Sequence, residues 1–281
     1  MKKASKIIFA VGVISAMTAS VFADSFINGG FESGNLTGWT LKSGDWNSSL
    51  QQTTNNAYQS DSAVITNNTL KDANTGGNLY EVLQGNDALR LNNPAIGAHF
   101  STLSQTVSNY TSSDMYFGFA AVLEDPTNGG HTEQQTPQFR FSIQDVTKGT
   151  TLYDIQFDSV NGGSQGVGWH IGNSTGTGIW KYTDWNVVHV DTSSLTGLNG
   201  DTFTISVAAY DCALGGHGGY AYVDSFQPTV PIANPGVTVN VHVLQANELL
   251  STPEPTSIVM WSLGGLALLW GGKRRLFKPQ A

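Results

Sequence analysis

Between residues 88 and 223 apolar and polar side chains alternate with a period of two in repeated short runs. Gln138-Phe139-Arg140-Phe141-Ser142-Ile143 sets Phe139, Phe141 and Ile143 on one face, and Leu152 to Phe157 sets Tyr153, Ile155 and Phe157 opposite Leu152, Asp154 and Gln156. Successive strand side chains point to opposite faces, so this period predicts half-buried β-strands. Ala88 to Leu91, Trp185 to Val190, Phe203 to Ala209 and Tyr220 to Val223 read as further strands, and Met115 to Val122 as a longer apolar one. Turn signals separate them: Asn128-Gly129-Gly130, Lys148-Gly149, Asn161-Gly162-Gly163, Asn199-Gly200-Asp201, and Gly215-Gly216 to Gly218-Gly219. Many short strands with glycine-rich turns predict an all-β fold, an antiparallel two-sheet sandwich of the jelly-roll kind. Asn47 to Thr75 is polar and weakly periodic and reads as long loops. Pro228, Pro231 and Pro235 interrupt the segment after the last strand, and beyond them Val237 to Leu244 alternates again, as one further strand or an extended stalk.

The two ends obey other rules. Lys2, Lys3 and Lys6 precede an uncharged apolar stretch, Ile7 to Ile14, and Val21-Phe22-Ala23 has the small-x-small character of a signal-peptidase site. This order predicts a signal peptide over residues 1–23, cut after Ala23. At the other end Ile258 to Trp270 is apolar and runs into Lys273-Arg274-Arg275. The basic cluster is expected to stay on the cytoplasmic side of a short membrane-embedded helix, with everything before it outside. Residues 24–226 are then the sandwich domain, 227–252 a Pro-containing linker or extra strand, and 253–281 the tail.

Charge and cysteine usage narrow the classes of partner. The chain has 13 Lys+Arg and 21 Asp+Glu, net −8. Without the basic residues of the first 23 positions and the charges of residues 251–281, six basic side chains face twenty acidic ones, net −14. Such a surface repels phosphate backbones and excludes nucleic acid as a partner. Cys212 is the single cysteine, so a hydrophobic core or a metal, rather than an intramolecular disulfide, must stabilise the domain.

Thr252-Pro253-Glu254-Pro255, the apolar segment and the basic cluster occur in the order of a PEP-CTERM sorting signal, which the last 30 or so residues resemble. The resemblance implies export in an exopolysaccharide-producing Gram-negative bacterium. An exosortase-type transpeptidase would recognise Pro253, Glu254 and Pro255, remove the tail with Lys273, Arg274 and Arg275, and pass the protein from the inner membrane to the envelope, cell surface or matrix. An uncut membrane anchor is the alternative. Asn28-Gly29-Gly30-Phe31-Glu32, Trp39, Ala88-Leu89-Arg90-Leu91 and Gly218-Gly219-Tyr220-Ala221-Tyr222-Val223-Asp224 resemble the first, middle and last strands of galactose-binding-like jelly rolls found in carbohydrate-binding modules. That resemblance implies adjacent first and last strands with a structural calcium where they meet, held by Glu32 and Asp224. Ser225 stands where many relatives carry a second Asp.

Sugar binding requires aromatic faces beside polar groups. Trp169, Trp180 and Tyr182, around the Gly172 to Gly178 loop, are the candidates, with Trp46 and Trp185 as further aromatics. Catalysis finds less support. Cys212 and His217 share a glycine-rich loop where a tight turn explains them as well as a nucleophile and base do. Glu81, Glu124, Asp125 and Glu133 offer no readable glycosidase pair, the six histidines are dispersed, and neither a phosphate-cradling loop nor a dinucleotide fingerprint is present. The expectation is a non-enzymatic exported surface or matrix protein that associates with exopolysaccharide. The alternatives are an envelope protein without sugar affinity and, less favoured, a polysaccharide hydrolase.

Overall fold

The computed structural model describes residues 26–47, 49, 51–127, 130–160, 167–193 and 200–244. Ala23 and the tail residues Pro253, Glu254, Pro255, Lys273, Arg274 and Arg275 lie outside them.

Fourteen strands occur among the described residues: β1 (Thr40–Trp46), β2 (Gln52–Thr54), β3 (Ala63–Ile65), β4 (Ala88–Leu91), β5 (His99–Tyr110), β6 (Asp114–Pro126), β7 (Gln138–Asp145), β8 (Thr150–Asp158), β9 (Trp169–Ser174), β10 (Gly178–Thr183), β11 (Trp185–Asp191), β12 (Asp201–Tyr210), β13 (Gly219–Gln227) and β14 (Val239–Leu244). They form two sheets, one of six strands in the order β2-β1-β5-β12-β7-β8 and one of eight. The eight-stranded sheet runs β14-β11-β6-β13-β4-β3. The 13-residue β6 pairs through its first half with β11 and through its second with β10, which in turn carries β9. Every strand pairing is antiparallel except that of β11 with β14. The architecture is the antiparallel jelly-roll sandwich.

Its core lies where the pleat predicts. Phe139, Phe141 and Ile143 of β7, Tyr153, Ile155 and Phe157 of β8, and Phe203, Ile205 and Val207 of β12 meet Phe117, Phe119, Ala121 and Leu123 of β6. Phe119 stacks on Phe139 at 4.6 Å and Phe117 meets Phe141 edge-on at 5.0 Å. Each such ring contributes roughly 1.5–3 kcal/mol by leaving water.

A second apolar layer covers the other side of the eight-stranded sheet. Leu79 and Leu83, in the connection between β3 and β4, pack on Ala120, Val122, Trp180, Tyr182, Trp185, Val187, Tyr220 and Tyr222. β6 and β13 are therefore buried on both faces, which is why Met115 to Val122 reads as an unbroken apolar run. Gly118 makes room for the cover: a Cβ there would lie 2.4 Å from Leu83 Cδ2. Polar bonds pin the layer. Tyr220 and Tyr222 donate their hydroxyls to Asp72 Oδ2 at 2.5 and 2.8 Å, and Trp185 Nε1 donates to the Tyr80 carbonyl at 2.8 Å. The segment leading to β14 joins in through Asn234 N–H, donated to the Leu83 carbonyl at 2.7 Å.

Two expectations need correction. Asn28 to Glu32 does not form a first strand; Phe26 to Trp39 is a series of turns, with φ of 54° at Asn28 and 59° at Phe31 breaking the extended course. Asn47 to Thr75 is not loop throughout, since it contains β2, a 3-10 turn at Asn56–Asp61, and β3.

Candidate functional site

Because Phe203, Ile205 and Val207 of β12 face the core, Ser206, Ala208 and Tyr210 fall on the outer side of the six-stranded sheet. There a groove of about 240 Å³ crosses the strands, lined by Gln52 of β2, Thr102 of β5, Arg140, Phe141 and Ser142 of β7, Asp154 of β8, and Ser206, Ala208 and Tyr210 of β12. Arg140 Nη2 donates to both oxygens of Asp154 across the β7–β8 pair, at 3.0 and 3.2 Å, and both side chains remain substantially exposed. Gln52 Nε2 donates to Tyr210 Oη at 3.2 Å. Trp46 and Phe100 back the Tyr210 ring at centroid distances of 5.0 and 6.0 Å. Burial raises the Tyr210 hydroxyl above the ordinary tyrosine range, so it stays neutral, able to donate and accept. Hydroxyl, amide, guanidinium and carboxylate groups thus share one trough with an aromatic ring, a composition that hydrogen-bonds a polyhydroxylated ligand.

The aromatics singled out from the sequence sit elsewhere. Trp180 and Tyr182 are only 5% and 7% exposed, beneath the Leu79–Leu83 cover, with Trp180 edge-on to Tyr220 at 5.6 Å. Neither presents a ring face to solvent. Trp169 is half-buried against the sandwich core, and Trp46 and Trp185 are buried. Two of the carboxylates considered for hydrolysis, Glu124 and Asp125, have structural partners. Glu124 accepts Gly218 N–H at 3.0 Å and the Thr175 hydroxyl at 2.5 Å, and Asp125 pairs with Lys181 at 2.6 Å.

Glu32 and Asp224 do come together. Gly30 lies between them, so that a Cβ on it would be 3.6 Å from Asp224 Oδ1 and 3.6 Å from Glu32 Cγ. The end of β13 joins the N-terminal turns there through Phe226 N–H, donated to the Gly29 carbonyl at 3.0 Å. Glu32 Oε1 accepts the N–H groups of Asn86 and Asp87, and Asp224 Oδ2 those of Leu83 and Gln84. Asp224 is fully buried, and its Oδ1 has no hydrogen-bond partner. Burial, reinforced by the like charge of Glu32, pushes the Asp224 carboxyl well above the usual carboxylate range. A buried, unpartnered carboxylate oxygen beside a second carboxylate fits a hard, oxygen-seeking divalent cation such as calcium.

No protein-family model matches the chain, and no curated protein sequence matches it. Solved structures resemble the chain at low identity. A carbohydrate-binding module solved with β-1,4-galactotriose is 14% identical, with a TM-score of 0.40, over 73% of this chain and 97% of that one. A module specific for non-crystalline cellulose is 16% identical, with a TM-score of 0.33, over 73% and 94%. The enzymatically active domain of a bacteriophage tailspike protein is 13% identical, with a TM-score of 0.34, over 72% of this chain and 21% of that one. At these identities no binding residue transfers to this chain.

Proposed function

We propose that the chain is a non-enzymatic exported surface or matrix protein whose sandwich binds exopolysaccharide along the outer groove of the six-stranded sheet. The groove carries this reading: a polar trough crossing the strands from β2 to β8, with the exposed Arg140–Asp154 pair on its floor. Sugar hydroxyls exchange their water hydrogen bonds for those of Arg140, Asp154, Ser142 and Thr102. Affinity electrophoresis of the full-length chain in gels containing the native polysaccharide tests it. Arg140→Ala and Asp154→Ala are expected to lose most of the retardation while keeping the melting temperature, because the pair is surface-exposed. Trp180→Ala is expected to do the opposite, costing roughly 3–5 kcal/mol of stability as a buried ring while sparing affinity in the molecules that remain folded. Absence of retardation by any glycan would leave the second reading, an envelope or matrix protein without sugar affinity. The burial of Trp180 and Tyr182 favours that reading, since it removes the expected stacking platform.

The same proposal includes a structural calcium ion between Glu32 and Asp224, and export and sorting. The leader is removed after Ala23, and an exosortase-type enzyme acts at Pro253-Glu254-Pro255, so the inner membrane holds the tail only before processing. The mass of the protein recovered from the cell surface checks both cuts. A surface-recovered mass that includes residues 253–281 would favour an uncut anchor.

A further inference from the structure

The loop between β12 and β13, Asp211 to Gly218, holds the chain's single cysteine and one of its six histidines, and a second histidine reaches it from the connection between β6 and β7. Ligand atoms of His131, Cys212 and His217 all lie within 4.8 Å of one another. Cys212 is fully buried, His217 is 2% exposed, and His131 is half-buried. The two imidazoles meet edge-on at 4.9 Å.

Backbone bonds hold this loop closed. Cys212 N–H donates to the His217 carbonyl at 2.9 Å, Gly215 N–H to the Cys212 carbonyl at 2.9 Å, and Gly218 N–H to Glu124 Oε2 at 3.0 Å. Asp211 anchors the loop's start by accepting Gly219 N–H, His99 N–H and the Asn92 amide. Cys212 Sγ accepts Gly216 N–H at 3.1 Å.

The state of His217 points to a ligand. Its Nε2 lies 3.3 Å from the Thr177 carbonyl, which can only accept, so Nε2 is the donor of this pair, and in the neutral ring Nδ1 then holds the lone pair. That Nδ1 is buried and has no hydrogen-bond partner. An unsatisfied buried acceptor is costly, and nothing in the sandwich requires one here. An imidazole whose outer nitrogen is fixed by a backbone carbonyl, with the inner one bare, is arranged as metal-ligating histidines are. Two imidazoles with one thiolate form a borderline-soft donor set, suited to zinc and its neighbours and unsuited to calcium or magnesium. A catalytic cysteine needs access to substrate, and a fully buried Cys212 has none.

We propose that His131, Cys212 and His217 bind a zinc-class divalent transition-metal ion, through Cys212 Sγ, His217 Nδ1 and a ring nitrogen of His131. Three protein ligands leave one position of a tetrahedron to water or a small exchangeable ligand. The site shares no residue with the groove or with the all-oxygen pair of Glu32 and Asp224, and the proposal does not depend on either.

Cobalt(II) is the probe, because a thiolate ligand gives it a sulfur-to-metal charge-transfer band and tetrahedral geometry gives it strong visible bands. The metal-stripped full-length chain is expected to show both, to saturate at one ion per chain, and to lose the signal to zinc but not to excess calcium. With one cysteine in the chain, a charge-transfer band assigns Cys212 without any variant. His131→Gln, at the half-buried position, is expected to weaken cobalt binding at least about tenfold, with the far-ultraviolet circular dichroism of the β fold unchanged. Absence of the charge-transfer band from the wild-type chain overturns the proposal. So does a folded His131→Gln chain with unaltered affinity.

Discussion

Asp72 is 3% exposed and receives two tyrosine hydroxyls on one oxygen, while its Oδ1 accepts Thr75 N–H at 2.9 Å. Burial first, and then the Asp72 charge, push both Tyr220 and Tyr222 far above the ordinary tyrosine range, so they remain donors at any pH the protein meets. One carboxylate thereby fastens the cover to β13. Asp114 is the contrasting case at the surface. It accepts from the Ser113 hydroxyl and sits 2.6 Å from His189 Nε2, and these contacts, in that order, lower its carboxyl below the ordinary aspartate range. A depressed acid stabilises the fold above its unfolded pKa and loses that contribution as pH falls through the folded one. Wild type is therefore expected to lose stability relative to Asp114→Asn below about pH 4 in urea titrations, by less than ~1 kcal/mol because the pair is solvent-screened. An identical acid limb in both chains would rule the contribution out.

At the scale of elements, β6 is the most constrained strand, with the core on one side and the Leu83 cover on the other. Gly118→Ala pushes a methyl into Leu83, and overpacking of this kind costs about 1–3 kcal/mol. Thermal melts are expected to show that loss, and the double variant Gly118→Ala/Leu83→Ala less than the sum of its parts; strict additivity would place the clash elsewhere. The same strand shows how far the sequence pattern reaches. β6, β7, β8 and β12 were legible because one side of each carries a run of apolar residues, and β4, β11 and β13 because short stretches of each are rich in apolar ones. β5 was not, since Ser101 and Gln105 interrupt its apolar positions: the Ser101 hydroxyl bonds Ser43, and Gln105 holds Ile27 through both its amide atoms. β2 and β3 are three-residue strands, too short to show a period.

For the whole molecule, long-range juxtaposition decides which sites could be foreseen. Glu32 and Asp224 were legible through motifs at the two ends of the domain, and the fold sets them on either side of Gly30. Trp180 and Tyr182 misled because their environment is set by the connection from Lys71 to Asn86, whose packing leaves no periodic trace. The Arg140–Asp154 pair depends on the β7–β8 register, and His131 reaches Cys212 and His217 only once β6 and β13 are neighbours. In the proposed calcium site, removing the ion withdraws binding free energy of about 2.7 kcal/mol at a hundredfold excess over Kd. Chelation is expected to lower the melting temperature and calcium to restore it. An unchanged melting temperature, or recovery with zinc alone, would remove the ion from Glu32 and Asp224.

The parallel pairing of β14 with β11 has a mechanical side. Six register pairs, from Trp185 with Val239 to Val190 with Leu244, stand between the sandwich and whatever pulls on the chain beyond residue 244. A load along the strand axis strains those pairs in shear, all together, instead of opening them one at a time. Once they yield, and with them the Asn234–Leu83 tie, residues 228–244 can extend to roughly 60 Å of chain. In a chain held by its C-terminal side, that extension is expected to come before the core between the sheets is disturbed, which would make β14 a strain-relief segment between a force and the fold.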